Sequence, residues 1–210
     1  IEKLPAPPFR TDTMILISFD PQTKTAAMLS LPRDLWVPIP GHGENRINAA
    51  HFYGGPALAK RTVQYNLGVP VHYYALLNFE GFRKIVDILG GITIDVKQPI
   101  YDTKYPDGAY GYMTIYIPAG VQEMDGERAL QYVRTRHGGA DFARMRRQQQ
   151  ALLAIRAKIL SLKGWLVPKA PQLWRAMGET MQTDLELKQM LSLVPLVAQI
   201  DFEQVKMASI

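Results

Sequence analysis

VHYYALLNFEGFRKIVDILGGITIDV, residues 71–96, reads as strand, helix, strand. Val71–Leu77 is the first strand candidate. Asn78 can cap a helix over Glu80–Leu89, its side-chain oxygen taking a free N–H of the first turn. Gly90-Gly91 stops that helix, and Ile92–Val96 alternates apolar and polar positions as the next strand. Upstream, Met14–Phe19 reads as a buried strand, Asp20-Pro21-Gln22-Thr23 as a turn, and Thr25–Leu31 as its hairpin partner, ended by Pro32. A loop rich in Pro and Gly (Pro38, Pro40, Gly41, Gly43) leads to Asn48-Ala49-Ala50, and Pro56 opens a helix over Ala57–Tyr65. Downstream, residues 99–111 read as a surface loop, Met113–Ile117 as a strand, Pro118-Ala119-Gly120 as a turn, and Asp125 as the cap of a short helix to Val133. Met145, Gln148, Leu152, Ile155, Ile159 and Leu162 recur at spacings of three and four, the stripe of a long helix over Phe142–Leu162. Helices near Pro171–Met181 and Leu185–Ile200, the latter kinked at Pro195, and a strand near Gln204–Ser209 complete the chain. Strands alternating with helices imply an α/β fold, expected as a three-layer α/β/α sandwich around a central mixed sheet.

The 210 residues are 47% hydrophobic, 20% charged and 10% aromatic, which excludes a disordered tail or a low-complexity linker. One domain over residues 1–210 is expected, because a chain of this length buries roughly 70% of its unfolded surface. The absence of cysteine excludes disulfides, thiolate metal sites and Cys nucleophiles. The longest apolar runs, Met14–Phe19 and Ala151–Ile155, fall far short of the roughly 18 to 20 residues of a membrane span. The chain opens at Ile1 without a basic n-region or an apolar h-region, so any targeting or anchoring segment is expected upstream.

Charge points to the first functional suspects. Lys+Arg number 24 against 19 Asp+Glu, a net of +5, with a pI near 9.4. Arg134, Arg136, Arg144, Arg146 and Arg147 share one stretch whose single acid is Asp141. Arginine without lysine suits bidentate capture of phosphate or carboxylate, although a solvated helix face reads the same way. In an extended stretch Tyr132, Arg134 and Arg136 alternate, so both arginines would point the same way and clamp an anion. Arg144 lies one helical turn before Gln148, which is on the apolar stripe, so Arg144 is expected to face inward and Arg146 to face solvent. The first helical turn adds free N–H groups and a dipole that favour an anion. Asp141 at the cap position is either an N-cap or a general base beside the clamp.

Asp12, in Arg10-Thr11-Asp12-Thr13 before the first strand, can hold Mg²⁺ through its carboxylate or can pair with Arg10. Arg33 and Asp34, at the exit of the Thr25–Leu31 strand, are either a salt-bridged edge or site residues. His42, His51, His72 and His137 are scattered, without the pairing of a zinc site. The sequence contains no Gly-x-Ser-x-Gly elbow, Walker-type loop or Gly-x-Gly-x-x-Gly. The high pI allows a nucleic-acid reading, but that needs an open Arg face interleaved with aromatics, and the inward Arg144 speaks against it. No nucleic-acid partner is expected.

Taken in order, Arg10-Thr11-Asp12-Thr13, Ser30-Leu31-Pro32-Arg33-Asp34, Arg46-Ile47-Asn48-Ala49-Ala50 with Tyr53-Gly54-Gly55, Gly90-Gly91-Ile92, Asp125-Gly126 with Ala129-Leu130, Tyr132, Arg134 and Arg136, then Asp141-Phe142-Ala143-Arg144 and Arg147-Gln148-Gln149 resemble the LytR-CpsA-Psr family. The resemblance runs from about residue 10 to residue 155. It implies an α/β/α phosphotransferase domain, anchored in the cell membrane and facing outward. Such a domain moves a glycopolymer from a polyprenyl pyrophosphate carrier to a peptidoglycan sugar hydroxyl and releases polyprenyl phosphate. A non-catalytic module that binds or senses the same lipid is the alternative. The resemblance implies Asp12 as a Mg²⁺ ligand. Arg33, Arg134, Arg136 and Arg144 would surround the pyrophosphate with support from Gln148, Asp141 would be the candidate base, and Arg10 and Arg147 second-tier members. It also implies a membrane anchor and a further Asp-bearing strand upstream of residue 1. Ala143 departs from the family pattern, which has Gly before the helix Arg.

Overall fold

The structure is a computed structural model that describes residues 9–107, 111–135, 141–162, 178, 180–186, 188–189, 192–193, 199–200 and 205–210. The fold is mixed α/β, and the chain divides into two compact units, Ile1–Leu77 with Glu179–Ile210, and Asn78–Gly178.

In the first unit, β1 (Met14–Asp20) and β2 (Thr25–Leu31) form an antiparallel hairpin, with Met14 opposite Leu31 and Asp20 opposite Thr25. The Asp20 carboxylate accepts the Gln22 N–H at 2.8 Å, and Lys24 takes a positive φ of 56° before the strand resumes. A final strand, Lys206–Ser209 (β11 in chain order), runs parallel to β2 on its other side. With two partners, β2 is mostly buried; β1 pairs only with β2 among the described residues, and Ile17 is 49% exposed. The expected buried strand is therefore a half-exposed one.

The expected Pro/Gly loop is a second hairpin, β3 (Trp36–Ile39) with β4 (Gly43–Arg46). Gly41 and Gly43 supply positive φ at the turn, and Pro38 is tolerated within a two-stranded ladder. Next, α1 (Ala49–Leu67) starts well before Ala57, because two helical segments join at Gly54-Gly55, where Gly55 adopts φ 62° and ψ −160°. Gly68, at φ 67°, closes the helix. The strand expected at Val71–Leu77 shrinks to β5 (Ala75–Leu77), paired antiparallel with β10 (Met181–Thr183), since the Tyr74 N–H goes to the Asp184 carboxylate at 2.8 Å. Leu31, Val37, Ile47 and Val63 form this unit's main core cluster.

The second unit opens with α2 (Phe79–Leu89), whose Asn78 cap accepts the Gly81 N–H at 2.7 Å. Strand β6 (Ile92–Val96) follows, but its ladder partner is β9 (Gly120–Met124), antiparallel. The expected strand–helix–strand unit thus does not close within one ladder. Residues expected as a loop form β7 (Ile100–Pro106), paired antiparallel with β8 (Tyr112–Ile117). β7 lacks apolar alternation because one of its buried positions is Asp102. Asp125 caps α3 (Gly126–Arg134) by accepting the Arg128 N–H at 2.8 Å. A Cβ at Gly126 would sit 2.8 Å from the Arg83 Cα, so only glycine lets α3 start this close to α2. The last helix, α4 (Asp141–Ser161), lies near the expected boundaries. Val86, Ile92, Ile94, Val96, Ile117, Met124 and Ala151 belong to the core these elements share. Of the two helices expected in the tail, residues 171–177 and half of 185–200, Pro195 included, lie outside the described residues, and Met181 belongs to a strand. Among the described residues no helix is long and apolar enough to cross a membrane.

Candidate functional site

Each unit carries its own set of charged side chains. In the first, Arg33 lies just past the end of β2, where turn hydrogen bonds hold the backbone: Leu35 N–H to Pro32 O at 3.0 Å and Asn48 N–H to Arg33 O at 3.3 Å. The Arg33 guanidinium donates to Asp12 Oδ1 at 2.6 Å and, more weakly, to Asp34 Oδ2 at 3.4 Å; Arg46 donates to Asp34 Oδ1 at 3.0 Å. Acid and base thus alternate along Asp12, Arg33, Asp34 and Arg46. Burial works against the Arg33 charge, but the Asp12 hydrogen bond and the charges of Asp12 and Asp34 outweigh it, so its pKa lies above the ordinary guanidinium value. Asp12 pairs with Arg33 rather than with its sequence neighbour Arg10, which is exposed.

Whether these residues suit Mg²⁺ turns on Asp12. Among the described residues no group of three or more His, Asp or Glu side chains can hold a metal ion. Magnesium, however, usually takes one or two carboxylates and completes its octahedron with water and substrate phosphate. Asp12 is a hard oxygen donor with a side chain 59% exposed, so it fits that partial role. Both Asp34 oxygens already accept from arginines.

Behind this network lie buried polar groups that the sequence reading passed over. His51 is 2% exposed; its Nδ1 lies 3.0 Å from the Phe9 carbonyl and its ring 4.5 Å from the Phe9 ring. Among the described residues, the buried atoms His51 Nε2, Asn48 Oδ1 and Thr11 Oγ1 have no hydrogen-bond partner. The motif Arg46-Ile47-Asn48-Ala49-Ala50-His51 contains two of them, and what singles them out is their burial, which follows from the fold and not from local spacing.

In the second unit the arginines gather where α3 ends and α4 begins. α3 runs through Arg134, so Tyr132 and Arg134 are helical and the expected period-two alternation does not apply; Thr135 turns extended at φ −56° and ψ 140°. Arg134 stacks over Phe79 at 4.8 Å and Tyr105 at 5.6 Å. The Thr135 hydroxyl donates to Asp102 Oδ2 at 2.5 Å, while Asp102 Oδ1 accepts the Lys104 N–H at 2.9 Å. From α4, Arg147 donates to the Thr135 carbonyl at 2.5 Å, and Gln148 lies 3.4 Å from the Val133 carbonyl. Both side chains therefore satisfy carbonyls at the C-terminal end of α3, which intrahelical bonding leaves open. Tyr132 donates to Gln150 at 2.7 Å, and Gln150 donates to the Asp95 carbonyl at 2.8 Å, tying α4 to β6.

Arg144 is 8% exposed and Arg146 is exposed, the orientation that the helical spacing predicts. Gln148 is only half-buried; Gln149, at 2% exposure, takes the buried position. Burial lowers the Arg147 pKa from its ordinary value, and the like charge of Arg144 lowers it further, against the opposing pull of Tyr132 and Asp102. Arg144 and Arg147, one helical turn apart, bring two guanidiniums to the start of α4, with the Asp102 charge acting on Arg147. Arg136 lies outside the described residues, as does the side chain of Asp141, whose backbone begins α4.

TagT, a polyisoprenyl-teichoic acid–peptidoglycan teichoic acid transferase of Bacillus subtilis strain 168, is 37% identical over 188 residues, which cover 90% of this chain and 57% of TagT. The crystal structure of B. subtilis TagV superposes with a TM-score of 0.80 at 30% identity, over 96% of this chain and 76% of that one. A structure of TagT bound to LIIa-WTA superposes with a TM-score of 0.78 at 35% identity, over 96% of this chain and 72% of that one. The chain thus spans little more than half the length of the named transferase it matches. Residues 8–210 match the LytR_cpsA_psr family as a whole, and the chain belongs to that family.

Proposed function

We propose that this chain is a phosphotransferase that moves a cell-wall glycopolymer from a polyprenyl pyrophosphate carrier to a peptidoglycan sugar hydroxyl. The observation that carries this reading is the buried Arg144 near the start of α4, a guanidinium at a helix N-terminus and suited to phosphate oxygens. The names and bound molecules of the relatives, teichoic acid transferases and a teichoic acid intermediate, support it. The sugar hydroxyl attacks the phosphorus that bears the glycan, the P–O bond to the second phosphate breaks, and polyprenyl phosphate leaves. The hydroxyl proton goes to Asp141 or to solvent base. The protein's task in such a transfer is to position the reactants and neutralise charge.

Arg134 and Arg144 are the phosphate-contacting groups assigned in the second unit, with Arg136 on the segment between them. In the first unit the assigned contacts are Arg33 and, at its edge, Arg10. Arg147 and Gln148 hold the end of α3, so in this reading they position Arg134 and bear on phosphate less directly. Asp12 would hold Mg²⁺, which when bound supplies charge neutralisation to phosphate oxygens. In this reading the enzyme works at the outer face of the cell membrane, where its peptidoglycan acceptor lies, with its active domain outside.

The test is reconstitution with a polyprenyl pyrophosphate-linked glycan, a peptidoglycan fragment and Mg²⁺, following glycan attached to the fragment. A phosphodiester-linked product supports the reading. Lipid bound tightly with no product supports a binding or sensing module instead.

A further inference from the structure

Strand β7 is irregular where it meets the arginine corner: its register against β8 shifts between Asp102 and Tyr105. Residues three apart in a regular strand point to opposite faces, yet Asp102 and Tyr105 are both buried, 6% and 3% exposed. The shift therefore turns Tyr105 to the face that carries Asp102, the re-aiming of a side chain that such irregularities allow. Both side chains meet the end of α3. Asp102 Oδ2 accepts from the Thr135 hydroxyl at 2.5 Å, and the Tyr105 ring lies 5.6 Å from the Arg134 guanidinium carbon. We propose that Asp102 and Tyr105 are positioning residues for phosphate binding, a template on the inner face of β7 that holds Arg134 in the direction a phosphate requires. This rests on the transferase reading and names residues for it that act through Arg134.

Thr135 is the pivot of this template. It is 1% exposed, and each of its polar atoms is held by a different element. Its N–H donates to the Gln131 carbonyl of α3 at 3.0 Å, its carbonyl accepts from Arg147 of α4 at 2.5 Å, and its hydroxyl goes to Asp102 of β7. Arg134 is the last residue of α3, a position at which helices fray, and pinning its neighbour stops that. The Arg134 side chain is held by its faces, against Phe79 at 4.8 Å as well as Tyr105. A guanidinium stacked in this way keeps N–H edges to bond an anion. A buried carboxylate is costly unless it is bonded and balanced. Asp102 Oδ1 accepts the Lys104 N–H at 2.9 Å, and while burial lowers the Arg147 pKa, the Asp102 charge opposes that lowering. One carboxylate thus ties β7 to the ends of both helices that carry the assigned arginines.

The test is calorimetric binding of inorganic pyrophosphate to the 210-residue chain, read for each variant below its own melting transition. The wild-type chain is expected to bind. Asp102→Ala and Thr135→Val cut the tie from its two ends, and Tyr105→Leu removes the ring; each should weaken binding by about tenfold. Thr135→Ser, which keeps the hydroxyl, should bind as wild type does, and so should Thr103→Val, at an exposed position of the same strand. The sign at Asp102 is diagnostic, because removing a negative charge near arginines would by electrostatics alone strengthen anion binding. Where Asp102→Ala does not fold, Thr135→Val tests the same bond. In a background of Arg134→Ala, Thr135→Val should cost no more than about twofold further, since its effect runs through Arg134. If wild type binds pyrophosphate but the Asp102, Thr135 and Tyr105 variants bind it as well or better, the proposal is overturned and the transferase reading stands. A loss at Thr135→Val that is equally large with and without Arg134 overturns it too. If wild type itself does not bind pyrophosphate, the transferase reading fails, and the positioning role with it.

Discussion

Arg33 reaches across 21 residues of sequence to donate to Asp12 at 2.6 Å, fixing the carboxylate assigned to Mg²⁺ beside a guanidinium assigned to phosphate. The pair is surface-lying, with side chains 25% and 59% exposed, and such pairs contribute about 1 kcal/mol or less. Asp12→Ala should therefore change thermal stability little while lowering the transfer rate by about 10²-fold, the scale on which one preorganised electrostatic group counts. Melting curves measured alongside turnover check this. A large loss of stability would assign the pair to the fold instead.

Arg144 and Arg146 sit on opposite sides of the same helical turn, one buried and one exposed. Arg144→Ala should weaken pyrophosphate binding by about 1.5–3 kcal/mol, the value of a charge-assisted hydrogen bond, and Arg146→Ala should barely change it. Calorimetric titration of both variants decides the matter; equal losses would contradict the inward assignment.

Asp102 and Thr135 share a buried hydrogen bond of 2.5 Å. Thr135→Val leaves the carboxylate short of a donor and should cost about 1–3 kcal/mol in chemical denaturation, whereas Thr135→Ser should cost much less. If Val were tolerated as well as Ser, the bond would not hold the end of α3.

Asp184 accepts from Lys60 at 2.8 Å and from the Tyr74 N–H at 2.8 Å, joining the β10 strand end to the segment before β5. Burial raises its pKa, but these two donors and the Lys60 charge outweigh burial, so the carboxyl titrates below its ordinary value. A depressed carboxyl contributes stability above its unfolded pKa of about 4 and loses it as pH falls through the lower folded value. Asp184→Asn should therefore lower the melting temperature at pH 7, and the gap from wild type should close in acid. A gap that stays constant across that range would contradict the assignment.

Local signals in the sequence were legible and long-range ones were not. Asn78, Asp125 and Gly90 mark helix ends through bonds to neighbours a few residues away, so their caps follow from the sequence. The inward Arg144 follows from helical period alone. The β7 strand did not show because its buried face carries Asp102, which breaks the apolar alternation, and the partner that makes Asp102 tolerable is Thr135, 33 residues on. Gly41 and Gly43 read as loop because turn residues look alike whether or not strands flank them. The Arg33–Asp12 pair joins two motifs that adjacency in sequence had assigned to different partners.

The most direct measurement is mass spectrometry of polyprenyl phosphate released from a polyprenyl pyrophosphate-linked glycan, in the presence of a peptidoglycan fragment and Mg²⁺, by the wild-type chain and by Arg144→Ala. Release coupled to a phosphodiester product, strongly reduced in the variant, is the predicted result. Lipid binding without release, or release that Arg144→Ala leaves untouched, would contradict the account.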